Sequence, residues 1–216
     1  MEERRVTFTS GRLQLEGVLA IPEGAGPFPA VVVCHPHSLY GGSMDNNVVC
    51  ALTETLALAS LVAFRFNFRG VGGSQGQFGQ GRGEREDVAS AISFLATVSE
   101  ADPSIIGLTG YSASAAFALP VGCDDGRVRA LAAVSPPFSM SDFAFLRGCL
   151  KPKLLVSGSR DALVQPDRFL AFCRDLPEPK EYELIRGADH FWLQRESRLA
   201  ATVTAFFAGV LKSRPF

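Results

Sequence analysis

Short apolar runs alternating with amphipathic stretches constrain this chain more than any other feature. Val6–Ser10 and Leu13–Ile21 flank Ser10-Gly11 and predict a β-hairpin. Ala30–Cys34, Leu61–Phe68, Ile105–Thr109, Leu131–Val134, Lys153–Val156 and Tyr182–Ile185 read as further strands, several of them apolar throughout. Between them, Val48, Val49, Leu52, Leu56 and Ala59 keep helical spacing, as do Val88, Ile92, Leu95 and Val98. Leu199, Val203, Phe206, Phe207 and Val210 mark one face of a last helix. Strand–helix alternation of this kind builds right-handed βαβ units and a doubly wound, mostly parallel sheet. The hairpin would add antiparallel strands at one edge.

Composition agrees with one packed unit, expected to span residues 1–216. The chain is 47% hydrophobic and carries a formal net charge of -1. That balance offers no basic surface for nucleic acid and no charge bias toward a membrane. The first fifteen residues lack the apolar run of a signal peptide, and no stretch has the roughly 18 apolar residues of a membrane span. A cytoplasmic location is the expectation. Five widely spaced cysteines form no CxxC pair, so neither a metal site nor a redox motif is expected.

In doubly wound sheets ligands bind beyond the carboxyl ends of the strands. Three segments with chemical content fall there. Gly110-Tyr111-Ser112-Ala113-Ser114 lies between a strand and an Ala-rich helical segment, the setting of a nucleophile elbow, with Ser114 where the G-x-S-x-G pattern has its last glycine. Gly158-Ser159-Arg160-Asp161 follows the next strand but one, and Gly187-Ala188-Asp189-His190-Phe191-Trp192 follows the last. Each alone has an ordinary structural reading: a helix-capping serine, a loop aspartate, a packed histidine. The order Ser, Asp, His, each after its own strand, is that of a hydrolase triad. Ser112, Asp161 and His190 are therefore the candidate catalytic residues, with Asp161 preferred over the adjacent Asp189 as the partner of His190.

Two longer segments carry a family resemblance. Cys34-His35-Pro36-His37-Ser38-Leu39-Tyr40-Gly41-Gly42-Ser43-Met44 resembles an H-P-H-P-x-x-G-G-[ST]-M motif, and Asn67-Phe68-Arg69-Gly70-Val71-Gly72-Gly73-Ser74 resembles N-F-R-G-x-G-x-S. With the serine elbow they make the chain similar, over essentially its whole length, to the α/β-hydrolase superfamily. Within it the likeness is to the small, cap-less, dienelactone-hydrolase-like group. True dienelactone hydrolases place a cysteine where this chain has Ser112. The resemblance implies a cofactor-free serine hydrolase acting on a small-molecule ester or thioester. A small-peptide or acylamide hydrolase, or a non-catalytic binding module on the same fold, are the alternatives. It further implies an oxyanion hole from the backbone N–H of Ala113 and from that of His37, with Ser38 the second choice for the latter.

Ser38, Tyr40, Phe191 and Trp192 are the candidate substrate-binding residues. Phe138, Phe143, Phe145, Phe191 and Trp192 could line an acyl pocket or simply pack. His35 and His37 are expected to brace their loop. The Gly70–Gly83 segment lacks the third glycine of a dinucleotide loop, at Gln75, and is expected to be flexible near the site mouth. Residues Ser135–Lys151 are too few for a cap domain. Pro120 falls eight positions after Ser112 and should kink or end the helix there.

Overall fold

The computed structural model describes residues 1–213. Eight strands form one sheet: β1 (Glu2–Ser10), β2 (Leu13–Ile21), β3 (Phe28–Cys34), β4 (Val62–Phe66), β5 (Ala101–Tyr111), β6 (Val128–Val134), β7 (Lys153–Gly158) and β8 (Lys180–Ile185). The helices are α1 (Asn47–Leu58), α2 (Arg82–Leu95), α3 (Ala113–Asp124), α4 (Pro166–Asp175) and α5 (Glu196–Leu211). Strand order is β1-β2-β4-β3-β5-β6-β7-β8. The β1–β2 and β2–β4 pairs are antiparallel, and β4 through β8 run parallel.

The alternation of side chains along each strand explains why helices cover both faces. On β3, Ala30, Val32 and Cys34 point into one core with Phe64, Phe66, Val88, Ile92 and Phe117, beneath α2, α3 and α4. Val31 and Val33 point into the other, with Leu52, Leu56, Leu199, Val203 and Phe207 from α1 and α5. A strand buried on both sides must be largely apolar, and β3 and β4 read that way except at Arg65, whose guanidinium pairs with Asp45 and Glu3.

Two features differ from the sequence expectation. Helix α4 carries no helical reading in the sequence. It is short, and only Phe169 and Cys173 are buried, so its apolar stripe is thin. Pro120 lies inside α3, which nevertheless runs on to Asp124. The lost N–H forfeits one intrahelical bond. Burial of Phe117, Ala118 and Leu119 before it and Gly122 after it holds both halves of the helix against the sheet.

The chain leaves β3 toward β4 on one side, while β5 lies on the other. That reversal opens a crevice beyond the ends of β3 and β5. Between β6 and β7 the segment holds a single one-turn 3-10 helix, Ala144–Arg147, and no cap. Among the described residues no helix is long and apolar enough to cross a membrane.

Candidate active site

Ser112 stands at the crevice, in the turn from β5 into α3. Its φ of 56° and ψ of -125° put a non-glycine residue in a sparsely allowed conformation. The surroundings hold it there. Its N–H donates to the Val134 carbonyl at 2.8 Å, and its carbonyl accepts from the Ala115 N–H at 3.0 Å. Gly110 permits the sharpness of the turn, because a Cβ there would sit 2.7 Å from the Ala115 backbone.

Ser114 is an anchor. Its hydroxyl is buried and lies 3.0 Å from the Cys34 carbonyl and 2.9 Å from that of Tyr111, tying the elbow to the end of β3. A glycine at this position could not do so.

Ser112 Oγ lies 2.9 Å from Nε2 of His190. Nδ1 of His190 lies 2.9 Å from both carboxylate oxygens of Asp161. All three residues are buried or nearly so. Oδ1 of Asp161 also accepts from the N–H groups of Leu163 and Val164, each at 2.9 Å, which fixes the carboxylate before it meets the ring. The loop behind His190 is pinned by the Tyr111 hydroxyl, which donates to the His190 carbonyl at 2.7 Å. Burial pushes the pKa of that phenol up, so it remains a donor. Asp189 points elsewhere and accepts from the Phe191 N–H at 3.1 Å.

A cleft of about 560 Å³ opens over Ser112 and His190. His37, Tyr40, Leu163 and Phe191 supply side-chain walls, with Pro36, Gly41, Gly42, Asn46 and Tyr111 between them. Tyr40 and Phe191 thus stand where the sequence reading put them. Trp192 does not. It is fully buried, takes a φ of 63°, and its indole N–H donates to the Ser135 hydroxyl at 3.1 Å. The left-handed backbone turns it from the mouth into the core beside α5. Ser38 is also corrected: it starts a one-turn helix and accepts from the Gly41 N–H, and it does not wall the cleft among the described residues. Phe138 and Phe143 are core residues rather than an acyl pocket.

Leu163, Asn46 and Tyr111 were missed. Leu163 had a signal, as an apolar residue two positions after the candidate aspartate.

His35 and His37 diverge. His35 is buried, accepts the Phe68 N–H at Nε2 and donates from Nδ1 to the Pro36 carbonyl at 2.7 Å. Burial lowers its pKa to about 4, so the ring is neutral and braces the loop. His37 turns outward: its Nδ1 accepts the Leu39 N–H, and its ring packs near Tyr40 and Phe78. The glycine-rich segment is tied down rather than loose. Gln75 donates its N–H to the Gln14 carbonyl, and Gly73 donates to Glu16. Among the described residues no group of three or more His, Cys, Asp or Glu side chains converges as a metal site would require.

Known proteins match along almost the whole length. A family model described as X-Pro dipeptidyl-peptidase (S15 family) matches residues 11–204. An uncharacterised protein of Rickettsia prowazekii (strain Madrid E) is 31% identical over 186 residues, covering 82% of this chain and 78% of that one. The structure of an α/β serine hydrolase homologue from Coxiella burnetii superposes with a TM-score of 0.85 at 33% identity, covering 95% of this chain and 97% of that one. A Xanthomonas campestris protein, described as an α/β serine hydrolase without a lid, superposes with a TM-score of 0.86 at 25% identity, covering 100% and 98%.

Proposed function

We propose, from the premise that this chain belongs to the X-Pro dipeptidyl-peptidase (S15) family of serine hydrolases, that it cleaves small carboxylic esters or thioesters through Ser112, His190 and Asp161. The observation that carries the reading is the unbroken relay from Ser112 Oγ through the His190 ring to Asp161, with 2.9 Å at each step. His190 takes the serine proton at Nε2 as Ser112 attacks the carbonyl. Asp161 accepts from Nδ1–H, holds the required tautomer and stabilises the imidazolium. The oxyanion is received by the N–H of Ala113, which as the first residue of α3 has no acceptor within its helix, and by the N–H of His37. The leaving group departs with the proton from His190. Water then attacks the acyl-enzyme by the same route.

The family's description favours a second reading, removal of dipeptides from a peptide's amino end. The lining of the cleft argues for esters instead. A free peptide amine is cationic and requires an anionic partner once it leaves water. Among the described residues, those lining this cleft include no carboxylate, while Tyr40, Leu163 and Phe191 suit a neutral, apolar group.

The purified protein should be assayed on matched acetyl to hexadecanoyl esters and thioesters and on Xaa-Pro amides, with fluorophosphonate labelling of wild type and Ser112→Ala. The expected result is labelling of wild type alone, and turnover of short esters or thioesters far above that of amides. Dominant Xaa-Pro amide cleavage would transfer the assignment to the peptidase reading. Labelling that survives Ser112→Ala would remove Ser112 from its role.

A further inference from the structure

The loops that carry Asp161 and His190 build a second concavity, separate from the catalytic cleft. It measures about 380 Å³ and is lined by Ser159, Arg160, Arg186, Gly187 and Arg195. None of these residues lines the cleft over Ser112. Arg160 directly precedes Asp161, Arg186 follows the end of β8, and Arg195 directly precedes α5. Three segments of the chain thus bring an arginine to one place. Two backbone bonds fix the frame: the Ser159 N–H donates to the Ile185 carbonyl and the Arg160 N–H to the Ala188 carbonyl, each at 2.9 Å.

Like charges gathered in a concavity repel unless something negative lies among them. Among the described residues, none of the three arginines pairs with a carboxylate. Nearby acids are engaged elsewhere. Asp161 serves His190, Asp189 accepts from the Phe191 N–H at 3.1 Å, and Glu196 accepts from Nδ2 of Asn47 at 2.8 Å. Arg195 bonds only to the neighbouring Gln194 carbonyl, at 3.3 Å, among the described residues. Ser159 contributes a hydroxyl. Its oxygen accepts the Gly187 N–H at 2.8 Å, which leaves its hydrogen to donate.

We propose that this concavity binds a small phosphate-bearing anion, held by Arg160, Arg186 and Arg195 together with the Ser159 hydroxyl. A guanidinium offers a planar fork of donors that matches paired oxygens. A carboxylate has only two oxygens, in one plane. A phosphate group turns three oxygens outward and can meet donors arriving from three segments at once. The cavity's volume suits one small molecule. The chain as a whole has a formal net charge of -1, so the positive potential is local and does not extend into a track for a polyanion. A ligand here touches the loop of Asp161, the approach to His190 and the start of α5, and so ties the catalytic loops together from outside the cleft. Binding to the folded state alone raises stability by mass action.

The test reads binding rather than turnover, so its outcome stands apart from the hydrolase reading. Wild type, Arg186→Lys and the double variant Arg186→Gln/Arg195→Gln are titrated with inorganic phosphate and with glycerol 3-phosphate at fixed ionic strength. Calorimetry and the melting midpoint are the readouts. Wild type should show saturable binding, with the midpoint raised by on the order of 5 °C at a hundredfold excess over Kd. The double variant should bind at least about tenfold more weakly, and Arg186→Lys should fall between, because lysine keeps the charge without the fork. Equal or weaker binding of the ester identifies free phosphate as the ligand, and tighter binding identifies a phosphorylated small molecule. Absence of saturable binding in wild type would overturn the proposal. So would the same midpoint rise in the double variant, which would be the general exclusion of phosphate from protein surfaces.

Discussion

Asp161 presents both carboxylate oxygens to Nδ1 of His190 at 2.9 Å, although 29 residues separate them in the chain, while the neighbouring Asp189 turns away. Proximity in sequence and contact in space part company here. A side chain directly before His190 leaves the loop on another side, and Asp189 uses its oxygen to close a local turn onto the Phe191 N–H. Asp161 reaches the ring from the end of a different strand.

The two aspartates should therefore respond differently to the same change. Asp161→Asn preserves shape but replaces an acceptor with an amide that favours the wrong imidazole tautomer, so kcat should fall by up to roughly 10⁴-fold. Asp189→Asn retains an oxygen for the turn and should cost about tenfold or less. Steady-state ester hydrolysis by both variants decides it. Equal losses would sink the distinction.

The elbow makes a second pair of predictions. Ser114→Ala removes a buried hydroxyl that bonds to the Cys34 and Tyr111 carbonyls. The expected loss is about 1–2 kcal/mol in stability, read by denaturant titration. Gly110→Ala forces a Cβ against the Ala115 backbone, which cannot yield without moving Ser112. That variant should lose most of its kcat even where it remains folded. Wild-type kcat in a folded Gly110→Ala protein would show that the turn tolerates a side chain.

His35 gives the protein a pH response in stability. Its pKa in the fold is about 4, against an unfolded value near 6.5, because burial disfavours the charged ring. Between those values the unfolded chain binds more protons than the native one. Stability from this group is fully present above about pH 6.5 and is lost as pH falls toward 4, by up to about 3 kcal/mol. His35→Gln, which can still accept from Phe68 and donate to Pro36, should flatten that slope in denaturation experiments at pH 7 and pH 5. An unchanged slope would assign it to other groups.

The strand–helix order and the Ser–Asp–His succession were legible in the sequence because both rest on local pattern. Apolar runs announce buried strands, and functional residues follow strand ends in a doubly wound sheet. Helix α4 was not legible, since Pro166 at its start was the main signal and only Phe169 and Cys173 form its buried stripe. Trp192 was misread for another reason. Its direction depends on a left-handed backbone at a bulky residue, which no propensity anticipates.

Phe191 and Trp192 are adjacent aromatics with opposite surroundings, and their substitution should separate binding from stability. Phe191 is 61% exposed, borders the cleft and packs edge-on toward His190 with ring centroids 5.7 Å apart. Phe191→Ala removes a wall of the cleft but little of the core. KM should rise by roughly 5–20-fold, equivalent to about 1–2 kcal/mol of lost apolar contact, with the melting midpoint nearly unchanged. Trp192 is wholly buried, and its indole N–H is held by Ser135. Trp192→Phe keeps an aromatic ring but deletes that hydrogen bond and leaves a small void beside α5. It should cost about 1–3 kcal/mol, lowering the midpoint by several degrees, while KM stays within about twofold. Paired measurement of KM and melting midpoint for both variants tests the division. A Trp192→Phe protein with wild-type stability and a raised KM would restore Trp192 to the substrate wall and overturn its placement in the core.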